Sequence, residues 1–161
     1  MKRILKSIAK KLFPDPYAHL DPSKKQLIDF ACQELGMCSF ADLGAVWNVD
    51  GRYTFYDGFV KIDSAVIVDT DLTPAVLERQ KRYPNLDIIK GNFGQSNIRD
   101  KIGKVEGVFF FDTLLHQVKP DWDDILRMYA DVAKIILIFN QRYINFDKTN
   151  EAARPCPRCL L

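Results

Sequence analysis

Five short apolar runs alternate with segments of mixed polarity along the middle of the chain. They predict strands at about 39–43, 65–69, 86–89, 105–111 and 135–139. The run 105–111 is nearly all apolar, which is typical of a strand covered on both faces. Strands that alternate with helices through short loops favour a doubly wound architecture. The pattern therefore predicts an α/β fold with a Rossmann-like, mostly parallel sheet of about five strands.

The segments between these runs carry helical spacing and helix-start signals. Thr73 is a suitable N-cap, and Pro74 stands at the first position of the helix that follows. After Pro120, the residues Trp122, Ile125, Leu126 and Tyr129 share one helical face. Helices are expected at 22–35, at 74–83 and at 121–132, with a short one within 52–60.

The ends of the chain differ from its middle. Residues 1–16 form a basic appendage with apolar positions at helical spacing and a local charge of +5 over residues 1–13. Residues 2–13 therefore fit either packing on the protein's own domain or peripheral contact with an anionic membrane. Residues 17–145 are expected to form one nucleotide-binding domain. Residues 146–161 are polar and proline-containing, and are expected to be a disordered tail or a truncation point.

Charge and cysteine content narrow the class of partner and the compartment. The net charge of the whole chain is only +2, so no nucleic-acid partner is expected. No apolar run is long enough to span a membrane, and no secretory signal is visible. We expect a cytoplasmic protein with reduced thiols. Cys156 and Cys159 have the spacing of half a zinc site, but no second pair lies nearby, so no metal is expected.

Polar residues and one glycine follow the predicted strands, where a doubly wound sheet places its ligand. Gly44 allows a sharp turn and a close approach of the backbone to a ligand. Asp69 can accept hydrogen bonds from a ribose diol, and Asn92 with Phe93 could contact an adenine edge and face. The candidate cofactor-binding residues are Asp42, Gly44, Ala45, Val46, Trp47, Asp69, Thr70, Asn92, Phe93 and Asp112.

These residues also carry a family resemblance. The order Asp42-Leu-Gly-Ala, Val-Asp69, Gly91-Asn92-Phe93 and Phe-Asp112-Thr-Leu-Leu-His116 resembles the class I S-adenosylmethionine-dependent methyltransferases over residues 20–142. The resemblance implies S-adenosylmethionine as the cofactor. It also implies that the first turn surrounds the methionine part, that Asp69 holds the ribose and that the turn after the third strand holds the adenine.

The chain departs from that family in two places. Val46 and Asn48 replace two of the three glycines that the family's first turn usually carries. The loss counts against a dinucleotide enzyme, whose pyrophosphate needs close backbone approach. The C-terminal antiparallel hairpin of the family's sheet also has no counterpart in the sequence. We favour truncation over a sheet that stops at five strands, and an open strand-five edge is a possible place for self-association.

Methyl transfer needs aligned reactants, and it needs a base only when the acceptor is a hydroxyl or a protonated amine. His116 and Asp112, near the end of the fourth strand, are the candidate catalytic residues. The rings of Trp47, Tyr53, Phe55 and Tyr56 either line the pocket or belong to the core. The sequence thus favours methyl transfer to a small-molecule acceptor. The alternatives are a non-catalytic binding or interaction module and, less favoured, an NAD(P)-dependent oxidoreductase.

Overall fold

The computed structural model describes residues 20–46, 50–55 and 62–140. Predictions for residues 1–16, for Trp47 and Tyr56, and for the tail 146–161 lie outside this part of the chain. The helices are α1 (Pro22–Gln33), α2 (Pro74–Arg82), α3 (Ser96–Ile102) and α4 (Trp122–Ala130), with 3₁₀ turns at Arg52–Phe55 and Leu114–His116. The strands are β1 (Ser39–Leu43), β2 (Ser64–Asp69), β3 (Leu86–Lys90), β4 (Gly107–Phe111) and β5 (Ile135–Phe139).

The five strands form one parallel sheet in the order β3-β2-β1-β4-β5. Asp42 in β1 lies opposite Ile67 in β2 and Phe109 in β4. The strand order reverses between β1 and β4, because the chain moves outward from β1 to β3 and then returns to the other side of β1. This arrangement confirms the predicted α/β, doubly wound fold and puts its switch point between β1 and β4.

Helices cover both faces of the sheet and divide the core into two layers. On one face, Phe40 and Phe109 stack with ring centroids 4.4 Å apart, beneath α1 and α2. On the other, Tyr129 of α4 packs edge-on against Phe110 at 5.7 Å, beside α3. Buried residues from α1 and α2 belong to the first layer, and those from α3 and α4 belong to the second. The nearly continuous apolar sequence of β4 follows from burial on both sides.

The helix starts agree with the sequence better than the helix ends do. Thr73 caps α2 by accepting a hydrogen bond from the Val76 N–H at 3.4 Å, as its position predicts. The predicted helix within 52–60 is a 3₁₀ turn over its described part. Trp122 does not share the buried face of α4, since it is 55% exposed as the first residue of that helix. Helix α3 was not predicted.

At the amino edge of the sheet, Glu106 joins the two central strands. Its carboxylate accepts hydrogen bonds from the N–H groups of Cys38 at 2.5 Å and Ser39 at 3.2 Å. The starts of β1 and β4 are thereby held in register, which leaves the opposite edge free to diverge. Within the residues described, no helix is long and apolar enough to cross a membrane.

Candidate functional site at the switch point

Strand β1 leaves the sheet through Gly44, which has φ +74°. Its N–H donates to the Val68 carbonyl oxygen at 2.8 Å and so extends the pairing with β2 by one residue. A Cβ at this position would lie 2.4 Å from Cγ2 of Thr113, which follows β4. Glycine is therefore required twice, once by the left-handed backbone and once by the close approach of the two chains.

The turn after β1 is bonded directly to the acid that ends β2. The Val46 N–H donates to Oδ2 of Asp69 at 2.9 Å, and the Asp71 N–H donates to Oδ1 at 3.1 Å. An ionised carboxylate has about four lone-pair sites, so this half-buried group keeps acceptor capacity on both oxygens. Two candidate regions that lie far apart in sequence are thus in contact. Ala45 is buried in this turn and Thr70 is exposed beside it.

Asp42 lies beneath this turn, fully enclosed by the protein. Its carboxylate accepts a hydrogen bond from the Thr54 hydroxyl at 2.9 Å. Burial raises the pKa of the Asp42 carboxyl from 3.8 to about 7, because a charged group is disfavoured away from water. The bond from Thr54 and the positive charge of Lys24 lower this pKa, and the charge of Asp69 raises it. Asp42 therefore exchanges its proton near neutral pH.

Lys24 of α1 supplies a buried positive charge at the same edge. Its side chain is 6% exposed, and its ammonium group is paired with the Asp112 carboxylate. The ammonium also lies over three aromatic rings, at 5.0 Å from the centroid of Tyr53, 5.3 Å from Phe139 and 5.8 Å from Phe111. These contacts favour a cation through the negative ring faces. Sequence reasoning missed Lys24, although its spacing from the buried Ile28 puts it on the inward helical face.

Asp112 is the first residue after β4 and adopts φ +59°, which is unusual for a residue with a side chain. Its N–H donates to the Phe139 carbonyl oxygen at 2.7 Å. The hydroxyl of the next residue, Thr113, is buried without a hydrogen-bond partner within the described structure. His116 follows in the 3₁₀ turn and is exposed. The structure thus places Asp42, Gly44, Asp69 and Asp112 around the switch point, and His116 at its outer side.

The turn after β3 supplies the remaining candidates. Asn92 Oδ1 accepts a hydrogen bond from the Gly94 N–H at 2.8 Å, which closes the turn. Phe93 is buried, packs edge-on against Phe110 at 5.9 Å, and comes within 3.6 Å of the Cβ position on Gly44. The Tyr129 hydroxyl donates to the Phe93 carbonyl oxygen at 2.8 Å. The candidate Trp47 lies outside the described residues, and the described part of the chain holds no cluster of metal-binding side chains.

Comparison with solved structures agrees with the fold. The chain aligns with an O-methyltransferase family protein from Burkholderia thailandensis at TM-score 0.56, with 14% identity over 81% of this chain and 41% of that protein. It aligns with a SAH-bound methyltransferase from Podospora anserina at TM-score 0.53, with 13% identity over 85% and 68% of the two chains. The fold is that of the class I methyltransferases.

A third neighbour with the methyltransferase fold is mitomycin 7-O-methyltransferase. It aligns at TM-score 0.54 with 16% identity over 85% of this chain and 38% of that enzyme. The chain therefore spans only about two fifths of two of these three structures. Neither a protein-family model nor a curated protein sequence matches the chain.

The two reasons for glycine at position 44 can be separated by mutation. Gly36 has φ +67° with open space around it, whereas Gly44 has a similar φ and faces Thr113. We expect Gly36→Ala to lower the free energy of unfolding by about 1–2 kcal/mol through backbone strain. Gly44→Ala is expected to cost about 1–3 kcal/mol more, because the added methyl group must displace Thr113. Urea unfolding of both variants measures the difference, and equal losses would contradict the close approach.

The pKa of Asp42 gives the protein a characteristic dependence of stability on pH. The unfolded chain releases this proton near pH 3.8 and the folded protein near pH 7. The contribution of Asp42 to stability is therefore full below pH 4 and is lost as pH rises to 7. We expect Asp42→Asn to reduce the fall in unfolding free energy over this window by on the order of 4 kcal/mol. Urea unfolding at pH 4.5, 6, 7 and 8 tests this, and parallel curves for parent and variant would refute it.

Proposed function

We propose that the chain binds S-adenosylmethionine at the carboxyl edge of β1, β2 and β3 and transfers its methyl group to a small-molecule acceptor. The observation that carries this proposal is the hydrogen bond of 2.9 Å from the Val46 N–H to Asp69. It joins the turn after β1 to the acid that ends β2, at the carboxyl edge beside the switch point, where this fold takes its ligands. The methyltransferase neighbours, one of them SAH-bound, support the same choice of cofactor.

The described residues offer a contact for each part of such a cofactor. Asp69 keeps free lone pairs for the two ribose hydroxyls, and the carboxamide of Asn92 carries two N–H donors for the adenine edge. The turn that begins at Gly44 would surround the methionine part. Val46 does not obstruct this turn, because it is 4% exposed and its side chain belongs to the core beneath the sheet edge. The replacement of a family glycine by valine is thus compatible with binding.

Methyl transfer requires mainly that donor and acceptor are aligned and that water is excluded. When bound, the cofactor supplies a methyl group already activated on a sulfonium sulfur. Asp112 and His116 follow β4, the strand whose end the family resemblance assigns to the acceptor, and either could take a proton from a hydroxyl acceptor. Asp112 is paired with Lys24, whereas His116 is exposed. His116 is therefore the better candidate for the base, and Asp112 the better candidate for orientation.

Asp69 provides the direct test of this proposal. Asp69→Ala should lower the affinity for S-adenosylhomocysteine at least tenfold, since a charged hydrogen-bond acceptor contributes about 1.5–3 kcal/mol. Asp71→Ala is the matched control, because Asp71 contacts Asp69 through its backbone N–H and its own side chain is not required for that bond. Calorimetric titration of the parent and both variants gives the affinities, and circular dichroism checks that each variant is folded.

The same titration with NAD separates the rival functions. Binding of S-adenosylhomocysteine alone, lost in Asp69→Ala and retained in Asp71→Ala, supports the proposal. Binding of NAD alone would favour an oxidoreductase. A folded parent that binds neither compound would overturn the proposal and leave a non-catalytic module with the methyltransferase fold.

A further inference from the structure

We infer that Lys24 is a positioning residue that acts through Asp112 on the turn after β4 and, through the contact of Thr113 with Gly44, holds the cofactor turn after β1 in its binding shape. The inference rests on the proposed function for the identity of the ligand. The contacts that carry it, those of Lys24, are separate from the contact between Val46 and Asp69 on which the proposed function is argued. Lys24 lies on α1, on the first core layer, and is 88 residues away from Asp112 in sequence. It connects the first described helix to the edge where the site lies.

The ammonium group of Lys24 has a fixed place. The residue is 5% exposed, so water cannot replace its partners. Three ring faces and the Asp112 carboxylate surround it. The start of α1 is also anchored, because the Asp21 N–H donates to the Tyr53 hydroxyl oxygen at 2.8 Å. The position of the charge is therefore set by α1, by the 3₁₀ turn that carries Tyr53, and by β4 and β5 together.

The Asp112 carboxylate transmits this position to the pocket. Asp112 has φ +59°, a conformation that is uncommon for a residue with a Cβ and that the surroundings must hold in place. The next residue, Thr113, lies against Gly44, at the start of the turn that meets Asp69. The contacts thus run without a gap from Lys24 through Asp112 and Thr113 to the cofactor turn.

A positioning role can be distinguished from a stabilising one. Replacing a buried ion-pair member with an apolar side chain of similar length leaves its partner charge unpaired, whereas replacing both members is often neutral for stability. If Lys24 acts through Asp112, its removal should weaken ligand binding only while Asp112 retains its carboxylate. The appropriate set is Lys24→Met, Lys24→Arg, Asp112→Asn and the double variant Lys24→Met/Asp112→Asn.

Calorimetric titration with S-adenosylhomocysteine gives the first readout. We expect Lys24→Met to lose about tenfold or more in affinity, because small displacements of a site carry losses of this size. Lys24→Arg, which keeps a cation over the ring faces, should lose less affinity than Lys24→Met. In the Asp112→Asn background the further effect of Lys24→Met should vanish. Additive losses, or parental affinity in Lys24→Met, would overturn the inference.

Amide NMR shifts give a second readout that needs no ligand. Lys24→Met should move the amide resonances of Thr113 and Gly44 more than Lys24→Arg does. Unmoved Thr113 and Gly44 resonances in a folded Lys24→Met variant would overturn the positioning role whether or not the parent binds the cofactor. Moved resonances together with a parent that does not bind S-adenosylhomocysteine would instead refute the proposed function and keep the structural coupling.

Chemical rescue adds a test of the charge itself. Lys24→Ala removes the three methylene groups and the ammonium that propylammonium would replace. Propylammonium at tens of millimolar is expected to restore most of the affinity for S-adenosylhomocysteine, because the ring faces and carboxylate that surround the ammonium remain. Propan-1-ol, which has the same shape without the charge, should not. Equal effects of the two additives would show that filled volume and not charge is what the site requires.

Discussion

The candidate site depends on one constraint, which is that the chain leaves two neighbouring strands in different directions. Strands β1 and β4 run parallel and in contact, yet the chain leaves them toward opposite faces of the sheet. Both exits use left-handed backbone, at Gly44 with φ +74° and at Asp112 with φ +59°. The two exits touch at Gly44 and Thr113, this fold takes its ligands beside such a parting, and Asp42 lies buried beneath it.

Much of the fold could be predicted because the three central strands, β1, β2 and β4, are covered on both faces. Such strands need apolar residues throughout, so 105–111 can be recognised without any knowledge of its neighbours. The run 135–139 is equally apolar, although β5 lies at the edge of the sheet and is only partly buried. Helix α3 could not be predicted in the same way. It is seven residues long and buries only Ile98 and Ile102. Its N-cap residue, Gln95, makes no capping hydrogen bond through its side chain. Its stability comes from packing against α4 and β3, which the local sequence does not contain.

The site was predictable only where it depends on strand ends. Asp42 and Asp69 lie in the last two residues of their strands, Gly44 and Asp112 follow theirs directly, and parallel strands have their carboxyl ends at one edge. Partners that come from elsewhere in the chain were missed. The Thr54 hydroxyl, in a 3₁₀ turn, donates to Asp42, and Lys24 of α1 pairs with Asp112, which lies 88 residues later in the sequence. A lysine in a helix normally indicates an exposed face, and the local sign of its burial is only the spacing of four residues from Ile28.

The Asp69 carboxylate accepts hydrogen bonds from the backbone N–H groups of Val46 and Asp71, and these two bonds have a consequence for ligand recognition. They fix the orientation of the carboxylate in the folded protein, so this side chain has already lost its rotamer freedom before any ligand arrives. Ordering a mobile side chain on association costs about 0.5–1.5 kcal/mol. At Asp69 that entropy is already lost in folding, so the acceptor that the proposed function assigns to the ribose diol is preorganised.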